Sequence, residues 1–495
     1  MRRVAVVSSK LIPSSPLEPS LSHPYQYDLI ILGGGPAGVT AAQRARELGA
    51  SVALVDRGPL GGACTNDGCV PTRFLAHAAR LIRNAAEYAD YGLSGAAPAV
   101  DIAVVMRQAR AMVERIHEKK DIKGSLTSIG ADVFENAGST AFVDPHTISS
   151  SGTGRLSASK FLICAGGRAR RLPIDGTELA LTHSDVWMMS KLPARLLVAG
   201  AAATGCQIAS VFAAFGSRVT LVDTAPRIVP TEDIDLSTEV ARAFTSHGIE
   251  ILMETSLTAI SETAADVRRV SMLSGGKGFE RDFDAVIAAV GWVGNVDNLG
   301  LDIAGVDVDR GYIKVDERLQ TSVPHIWAAG DITGRMMLVQ CANEDGRVAV
   351  ENALTDSKRT SGHAIVPHGS FTDPEYGSVG LTEAEAKSRI GDVVVATVPY
   401  HDIDRAVIDG RPEGFVKMIV ERSTRRIVGA HVVGQQSVEI VQVAAAAMQA
   451  NATVDHLAHL EFAYPTFTSV IGLAARKIMS SLGVAGGAEW ERSAS

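Results

Sequence analysis

Two segments of the chain share one layout, and that repeat constrains the fold more than any other feature. Residues 27–56, YDLIILGGGPAGVTAAQRARELGASVALVD, read as an apolar strand, a glycine turn, an alanine-rich helix and a second strand ending at Asp56. Residues 194–223, ARLLVAGAAATGCQIASVFAAFGSRVTLVD, repeat the order and end at Asp223. From the first turn glycine to the terminal acid is 23 residues in both, Gly33 to Asp56 and Gly200 to Asp223. In such a βαβ unit the first glycine permits a tight turn, the second lets a pyrophosphate approach the backbone, and the third lets the helix pack closely on the strand. Gly33, Gly35 and Gly38 fill all three places, and Asp56 stands where an acid accepts hydrogen bonds from ribose hydroxyls. The second unit keeps Gly200 and Gly205 but has alanine at the middle position. Asp223 favours an unphosphorylated ribose, because a carboxylate repels the 2′-phosphate of NADP; Arg227, four residues on, is the feature that opposes this preference.

A chain of 495 residues has room for about three domains of the usual size. Its 47 basic and 55 acidic residues give a net charge of −8 with no long basic run, which argues against nucleic acid or an anionic membrane as main partner. The longest mostly apolar stretch, Leu196 to Gly216, is made largely of small residues and contains Gln207, so it reads as strand, turn and buried helix. The basic N-terminus is followed by an apolar run shorter than the roughly 7–15 residues of a signal peptide. Five cysteines form a sparse, odd set, unlike a secreted disulfide framework, and the expected location is a reducing cytoplasm. Beyond the second unit, DFDAVIAAVGW (282–292) and HIWAAGD (325–331) each run a strand into a glycine turn, and after about residue 361 strands alternate with helices in a third domain.

GGACTNDGCVPTR, residues 61–73, sets Cys64 and Cys69 five positions apart. Five residues of regular helix rise about 7.5 Å, beyond the usual Cα separation of a disulfide, so a bond between them requires a bent turn. Gly68 and the helix-starting Pro71 make such a turn plausible. A cysteine at a helix N-terminus meets the positive end of the macrodipole, and Arg73 adds to it, which favours a thiolate. On these residues alone, a redox pair and two unrelated buried thiols both stand.

Taken together, the motifs resemble those of the class I pyridine nucleotide-disulfide oxidoreductases, the flavoproteins that include dihydrolipoyl dehydrogenase, glutathione reductase and mercuric reductase. The resemblance runs from about Tyr27 to Leu482: GGACTNDGCVPTR is similar to the redox-disulfide motif, ICAGG to the alanine-threonine-glycine segment, HIWAAGD to the strand whose aspartate holds the flavin ribityl chain, and FTDPEYGSVGLTEAEA to the opening of the dimerisation domain. It implies an α/β fold with two Rossmann-like dinucleotide-binding domains and a C-terminal α+β dimerisation domain. The implied layout is a flexible extension over 1–26, an FAD domain over 27–180 completed by 298–362, an NAD(P) domain over 181–297, a dimerisation domain over 363–482 and a flexible tail over 483–495. FAD is then held by Gly33, Gly35, Gly38, Asp56 and Asp331, with Arg73 and Gly166 beside it; NAD(H) or NADP(H) lies on Gly200, Gly205, Asp223 and Gly291. Cys69 faces the flavin and Cys64 is the outer thiol that attacks the substrate. The expected assembly is a homodimer passing electrons to a small-molecule or small-protein acceptor, with no metal site, nucleic acid or membrane involved.

Departures from the family pattern bear on that acceptor. The histidine of the family's His-Pro-Thr motif is replaced by Tyr464 in AYPTFTS, and its glutamate partner by Ser469. A phenol with a pKa near 10 donates a proton but is a poor base near neutrality. Arg73 replaces a lysine, Gln207 a glutamate, Ala203 a tyrosine and Gln340 a histidine. Mercuric reductases share the tyrosine, but the C-terminal cysteine pair they carry is absent from SSLGVAGGAEWERSAS. The expectation is a specialised disulfide as acceptor, a metal ion or quinone as the second choice, and a low-turnover redox sensor as the competing class.

Overall fold

The computed structural model describes residues 24–484 apart from 97 and 265. Residues 1–23 and 485–495, which make up most of the expected flexible ends, lie outside the described residues. The first βαβ unit pairs Tyr27–Leu32 in parallel with Val52–Val55, Leu29 opposite Val52 and Leu32 opposite Val55. Both strands are continuous apolar runs because both faces of the sheet are covered; Leu29, Ile30 and Ile31 are fully buried. The helix Pro36–Glu47 opens with proline at its first turn and buries Ala37, Ala41, Ala42 and Ala45. Those small side chains let it pack closely on the helix Val339–Leu354, where a Cβ on Gly346 would lie 2.3 Å from the Ala37 carbonyl oxygen. The strand order is Asp132–Phe134, Val52–Val55, Tyr27–Leu32, Gly154–Ile163, Thr147–Ser150, Thr140–Asp144, and Ile326–Ala328 also pairs with Gly154–Ile163.

The second unit builds a four-stranded parallel sheet in the order Glu250–Leu252, Arg218–Val222, Arg195–Ala199, Ala285–Ala288. An antiparallel meander over Thr255–Ala264, Val267–Ser274 and Lys277–Phe283 is attached to it. The C-terminal domain is a five-stranded antiparallel sheet, order His368–Ser370, Tyr376–Gly380, Ile427–Val433, Phe415–Glu421, Val393–Pro399. The helices Ser437–Gln449 and Ser469–Ser481 share one core with it. The fold is therefore α/β, two Rossmann-like domains followed by an α+β domain.

The helix Cys69–Ala86 joins these parts. Its Leu75, Ala76 and Ala79 share a core with Met106 of the helix Ile102–Lys120 and with Ile208, Val211 and Phe212 of the helix Ala203–Phe215. Each large side chain buried there contributes about 1.5–3 kcal/mol. Its polar face carries an arginine ladder onto the third domain: Arg73 reaches Glu375 at 2.8 Å, Arg80 the same carboxylate, and Arg83 Asp373 at 3.1 Å.

Candidate active site

The two glycine turns are built alike. Gly33 has φ +112°, and a Cβ there would lie 2.2 Å from the Cys164 carbonyl oxygen; Gly200 has φ +102°, with 2.3 Å to that of Ala289. The third glycines admit their helices: a Cβ on Gly38 would sit 1.8 Å from the Gly33 oxygen, and one on Gly205 1.8 Å from the Gly200 oxygen. The acids close the turns. Asp56 accepts from Gly34 N at 2.6 Å and Gly58 N at 2.9 Å, and Asp223 from Ala201 N at 2.6 Å and Ala225 N at 2.9 Å. At the middle position Gly35 (φ −76°, ψ −173°) and Ala202 (φ −79°, ψ −174°) share one extended conformation. Any residue adopts it, so the alanine leaves the second turn intact.

Gly166 and Asp331 lie by the first cradle, Asp331 Cβ 3.6 Å from where a Cβ on Gly167 would stand, and Gly291, expected on the nicotinamide side, just precedes the strand Trp292–Gly294 that pairs with Gly167–Ala169. Gly166 and Gly291 both have positive φ and nothing within 4 Å of where a Cβ would stand. Asn295 knits Gly166 in place, its N–H donating to the Gly166 oxygen at 3.0 Å and its amide to the Ala165 oxygen at 2.8 Å. Asp331 follows Gly330 in the short turn Gly330–Thr333; burial and the nearby Asp345 carboxylate hold its carboxyl above the ordinary range. Gly35 meets only the Gly62 Cα, at 3.6 Å. Open glycine faces, a backbone turn ready for a pyrophosphate and carboxylates ready for hydroxyl donors fit FAD on this side, and Gly200, Gly205 and Asp223 form a second turn of the same build.

Cys64 lies in the short helix Gly62–Asn66 and Cys69 opens the helix Cys69–Ala86. The break between them falls at Asp67 and Gly68, whose dihedrals (φ −144°, ψ −8°; φ −124°, ψ −103°) are non-helical, which supplies the bend the spacing demands. Both cysteines are free thiols, Cys64 half-buried and Cys69 exposed. A hydrogen bond from the Cys69 thiol lowers the pKa of Cys64 to about 7 against the opposing effect of burial, helped by the Lys120 ammonium and the Cys69 N–H. Cys69 is pushed up because its thiol donates a hydrogen bond to Cys64 and by burial. The negative charge is therefore favoured on Cys64, the sulfur that accepts from the Cys69 thiol. Arg73 is engaged elsewhere, paired with Glu375 and placed 4.5 Å above the Phe371 ring.

The residues between the cysteines are clamped from two helices. Thr65 Oγ1 accepts from Lys120 Nζ at 2.8 Å, and Asn66 Oδ1 contacts His117 Nε2. Asp67 accepts from Trp187 Nε1 at 2.9 Å and from Ser184 Oγ, and lies 3.1 Å from His183 Nε2. Burial opposes ionisation of Asp67, but His183 and Ser184 hold its carboxyl below the usual range.

Tyr464 stands apart from this cluster on the C-terminal domain, 72% exposed and joined to Pro465 by a cis peptide bond. Its hydroxyl donates to Asp404, which raises its pKa. Ser469 Oγ donates to the Thr466 oxygen at 2.7 Å, so the carboxylate beside the tyrosine comes from residue 404, sixty positions earlier. Gln207 accepts from Phe371 N at 3.3 Å and Gln340 donates to the Pro367 oxygen at 2.7 Å. Sequence reasoning missed Lys120, Asp67, His183 and Asp404. A lysine ending a helix beside Lys119 reads as a solvated charge, and contacts across such separations leave no local signal.

Thiols poised for exchange beside two dinucleotide cradles define a pyridine-nucleotide-dependent disulfide oxidoreductase. Residues 27–346 match the model of the pyridine nucleotide-disulphide oxidoreductase family and residues 366–475 that of its dimerisation domain. The chain belongs to this family, in its class I branch, which uses FAD with NAD(H) or NADP(H) and acts on sulfur groups. It is 33% identical over 451 residues to a dihydrolipoyl dehydrogenase of Zymomonas mobilis, covering 90% of this chain and 96% of that protein. It is 31% identical over 464 residues to one of Bacillus subtilis (92% and 99%). A mercuric reductase of Lysinibacillus sphaericus is 30% identical over 452 residues, covering 91% and 82%. The dimerisation domain supports a homodimer. Among the described residues no helix is long and apolar enough to cross a membrane, and no group of three or more His, Cys, Asp or Glu is arranged to hold a metal ion.

Proposed function

We propose that this protein passes electrons from NADH through Cys64 and Cys69 to a disulfide substrate other than the family's usual ones. What carries the reading is the placement of Cys64 across a bent turn from the Cys69 thiol at a helix start, which lowers the Cys64 pKa to about 7. A thiolate is the attacking species in disulfide exchange, and one with a pKa near ambient pH attacks best. Bound FAD supplies the electron pair that reopens the Cys64–Cys69 disulfide, received as hydride from the nicotinamide. The chain's own residues do the rest. Asp56 and Asp223 accept from ribose hydroxyls, and the glycine turns present N–H groups to pyrophosphates. Cys64 attacks one sulfur of the substrate, forming a mixed disulfide and releasing the other half as a thiolate. Tyr464 of the second subunit gives that thiolate a proton. The resulting phenolate takes the Cys69 proton, and the Cys69 thiolate attacks Cys64 Sγ, closing the disulfide and releasing the remaining half as a thiolate that solvent protonates. Arg227 supports NADH: its guanidinium donates to the Pro230 and Glu232 oxygens at 2.6 and 2.8 Å, which spends it on its own loop.

A second reading, reduction of a soft metal ion, rests on Tyr464 in the histidine position and on the mercuric reductase among the relatives. Alkylation with mass mapping tests the first. Anaerobic NADH is expected to make Cys64 and Cys69 newly alkylatable in air-oxidised holoenzyme, and a panel of disulfides with NADH to turn over. No new thiols at these two positions would sink the pathway, and turnover with Hg(II) but no disulfide would move the acceptor to the second reading.

A further inference from the structure

Cys64 needs a counter-charge, and the described chain provides one that the family pattern did not call for. In this sequence the position expected to carry a base holds Tyr464, a protonated phenol whose hydroxyl donates to Asp404. A phenol bound in that way does not draw a proton from a thiol. Stabilisation of the thiolate must then come from fixed groups around Cys64 itself.

Three elements bring charged or titratable groups to bear on that sulfur. The helix Cys69–Ala86 brings the Cys69 thiol and N–H, the turn Gly330–Thr333 brings Asp331, and the helix Ile102–Lys120 brings Lys120. Asp331 opposes the thiolate, so Lys120 is the cation of this set. Its placement is built. Lys120 is the last residue of its helix, which stops at Asp121 with φ +36°, the Asp121 N–H closing on the His117 oxygen at 2.9 Å. His117 and Lys120, three apart, share one helix face; they grip Asn66 and Thr65, consecutive residues after Cys64. Thr65 is 1% exposed, so the 2.8 Å bond from Lys120 Nζ to its hydroxyl ties a flexible, otherwise exposed side chain to a fixed point next to the thiol. A cation in the last turn is also favoured by the helix dipole.

We propose that Lys120, positioned by Thr65, is the same-chain cation that holds Cys64 in its attacking form, in place of the base absent at position 464. The inference rests on the reading of Cys64 as the attacking thiol.

The test is the pH profile of iodoacetamide alkylation at Cys64 in dithiothreitol-reduced holoenzyme, read by peptide mass. The wild-type midpoint is expected near 7. Lys120→Met should move it upward and slow alkylation at pH 7 by about threefold to tenfold, since each unit of pKa is tenfold in thiolate below the midpoint. Lys120→Arg should restore most of the wild-type profile. Lys119→Met removes the same charge from the neighbouring position and should overlay the wild type. A Lys120→Met profile superimposed on the wild type, or a Lys119→Met shift of equal size, overturns the proposal. Newly alkylatable Cys64 and Cys69 after NADH, together with an unmoved Lys120→Met profile, would leave the electron pathway standing and remove only Lys120 from it.

Discussion

Gly38 and Gly35 lie three residues apart in one turn, yet their missing side chains serve different ends. A Cβ on Gly38 would meet the Gly33 oxygen at 1.8 Å and its carbon at 3.0 Å, both backbone atoms that cannot move aside. Gly38→Ala is therefore expected to push the helix Pro36–Glu47 off its strand at a cost of about 3 kcal/mol or more, seen as a lower denaturation midpoint. Gly35→Ala meets only the Gly62 Cα at 3.6 Å and should fold within about 1 kcal/mol of wild type. Its methyl stands where the pyrophosphate approaches, so FAD retention through gel filtration should fall while stability holds. Equal losses of stability in both variants would contradict this division. The glycines and their acids were legible in the sequence because the constraint is local: a turn, a helix start and a strand end within 23 residues. Ala202 shows the limit of the pattern, since the middle glycine answers to the ligand and the backbone there tolerates alanine. Lys120 and Asp404 were illegible for the opposite reason: each acts on a residue 55 or 60 positions away, and nothing in its own neighbourhood marks it.

At the scale of elements, the second Rossmann unit is locked to the C-terminal sheet by a buried cluster. Lys417, on the strand Phe415–Glu421, is 1% exposed and reaches Asp233 at 2.9 Å, Asp235 at 2.7 Å and Glu383 at 2.5 Å. Asp233 also caps the helix Ile234–Ser246 and accepts from Glu383 N at 3.0 Å, and beside it Glu232 takes hydrogen bonds from Ser378 at 2.6 Å and His368 at 3.0 Å. Removing the cation strands a carboxylate that is itself 1% exposed. Lys417→Met is expected to cost about 3–5 kcal/mol, by chemical denaturation at pH 7. Lys417→Met with Asp233→Asn should recover part of it, because the amide keeps one of the two backbone bonds, from Asp235 N or Glu383 N, and leaves no stranded charge. Burial opposes it, but hydrogen bonds from Glu383 N and Lys417 hold Asp233 below its ordinary range; Lys387 and Lys417 do the same for Glu383. Depressed carboxylates stabilise above their unfolded pKa and lose that stability as pH falls through the folded value. The gap between wild type and Lys417→Met should therefore narrow below about pH 4, and a gap that widens there would refute the assignment. The sequence showed Lys417 as an ordinary lysine on a strand, since only the packing of two domains makes it a buried one.

At the scale of the whole molecule, the thiols and Tyr464 sit in different domains of one chain, and the tyrosine faces outward, 72% exposed. Exposed apolar side chains gather on the same surface system: Tyr91 donates to the Ile408 oxygen at 3.1 Å, and Leu93, Val407 and Ile408 are each more than half exposed. A homodimer would cover such a surface. If Tyr464 serves the thiol of the other subunit, a two-fold dimer places each Cys64 with the partner's Tyr464. Complementation separates this from action within one chain. Cys64→Ser and Tyr464→Phe chains, coexpressed with different tags and isolated as heterodimers, put both lesions in one site and leave the other site whole. Such a heterodimer should keep about half of the wild-type turnover, measured with whichever disulfide supports NADH oxidation, while each mutant homodimer falls well below it. Were the tyrosine to act on its own chain's thiol, every site in the heterodimer would carry one lesion and turnover would match the poorer homodimers. The expected recovery thus requires both that the phenol is the proton donor and that the site is completed only by assembly.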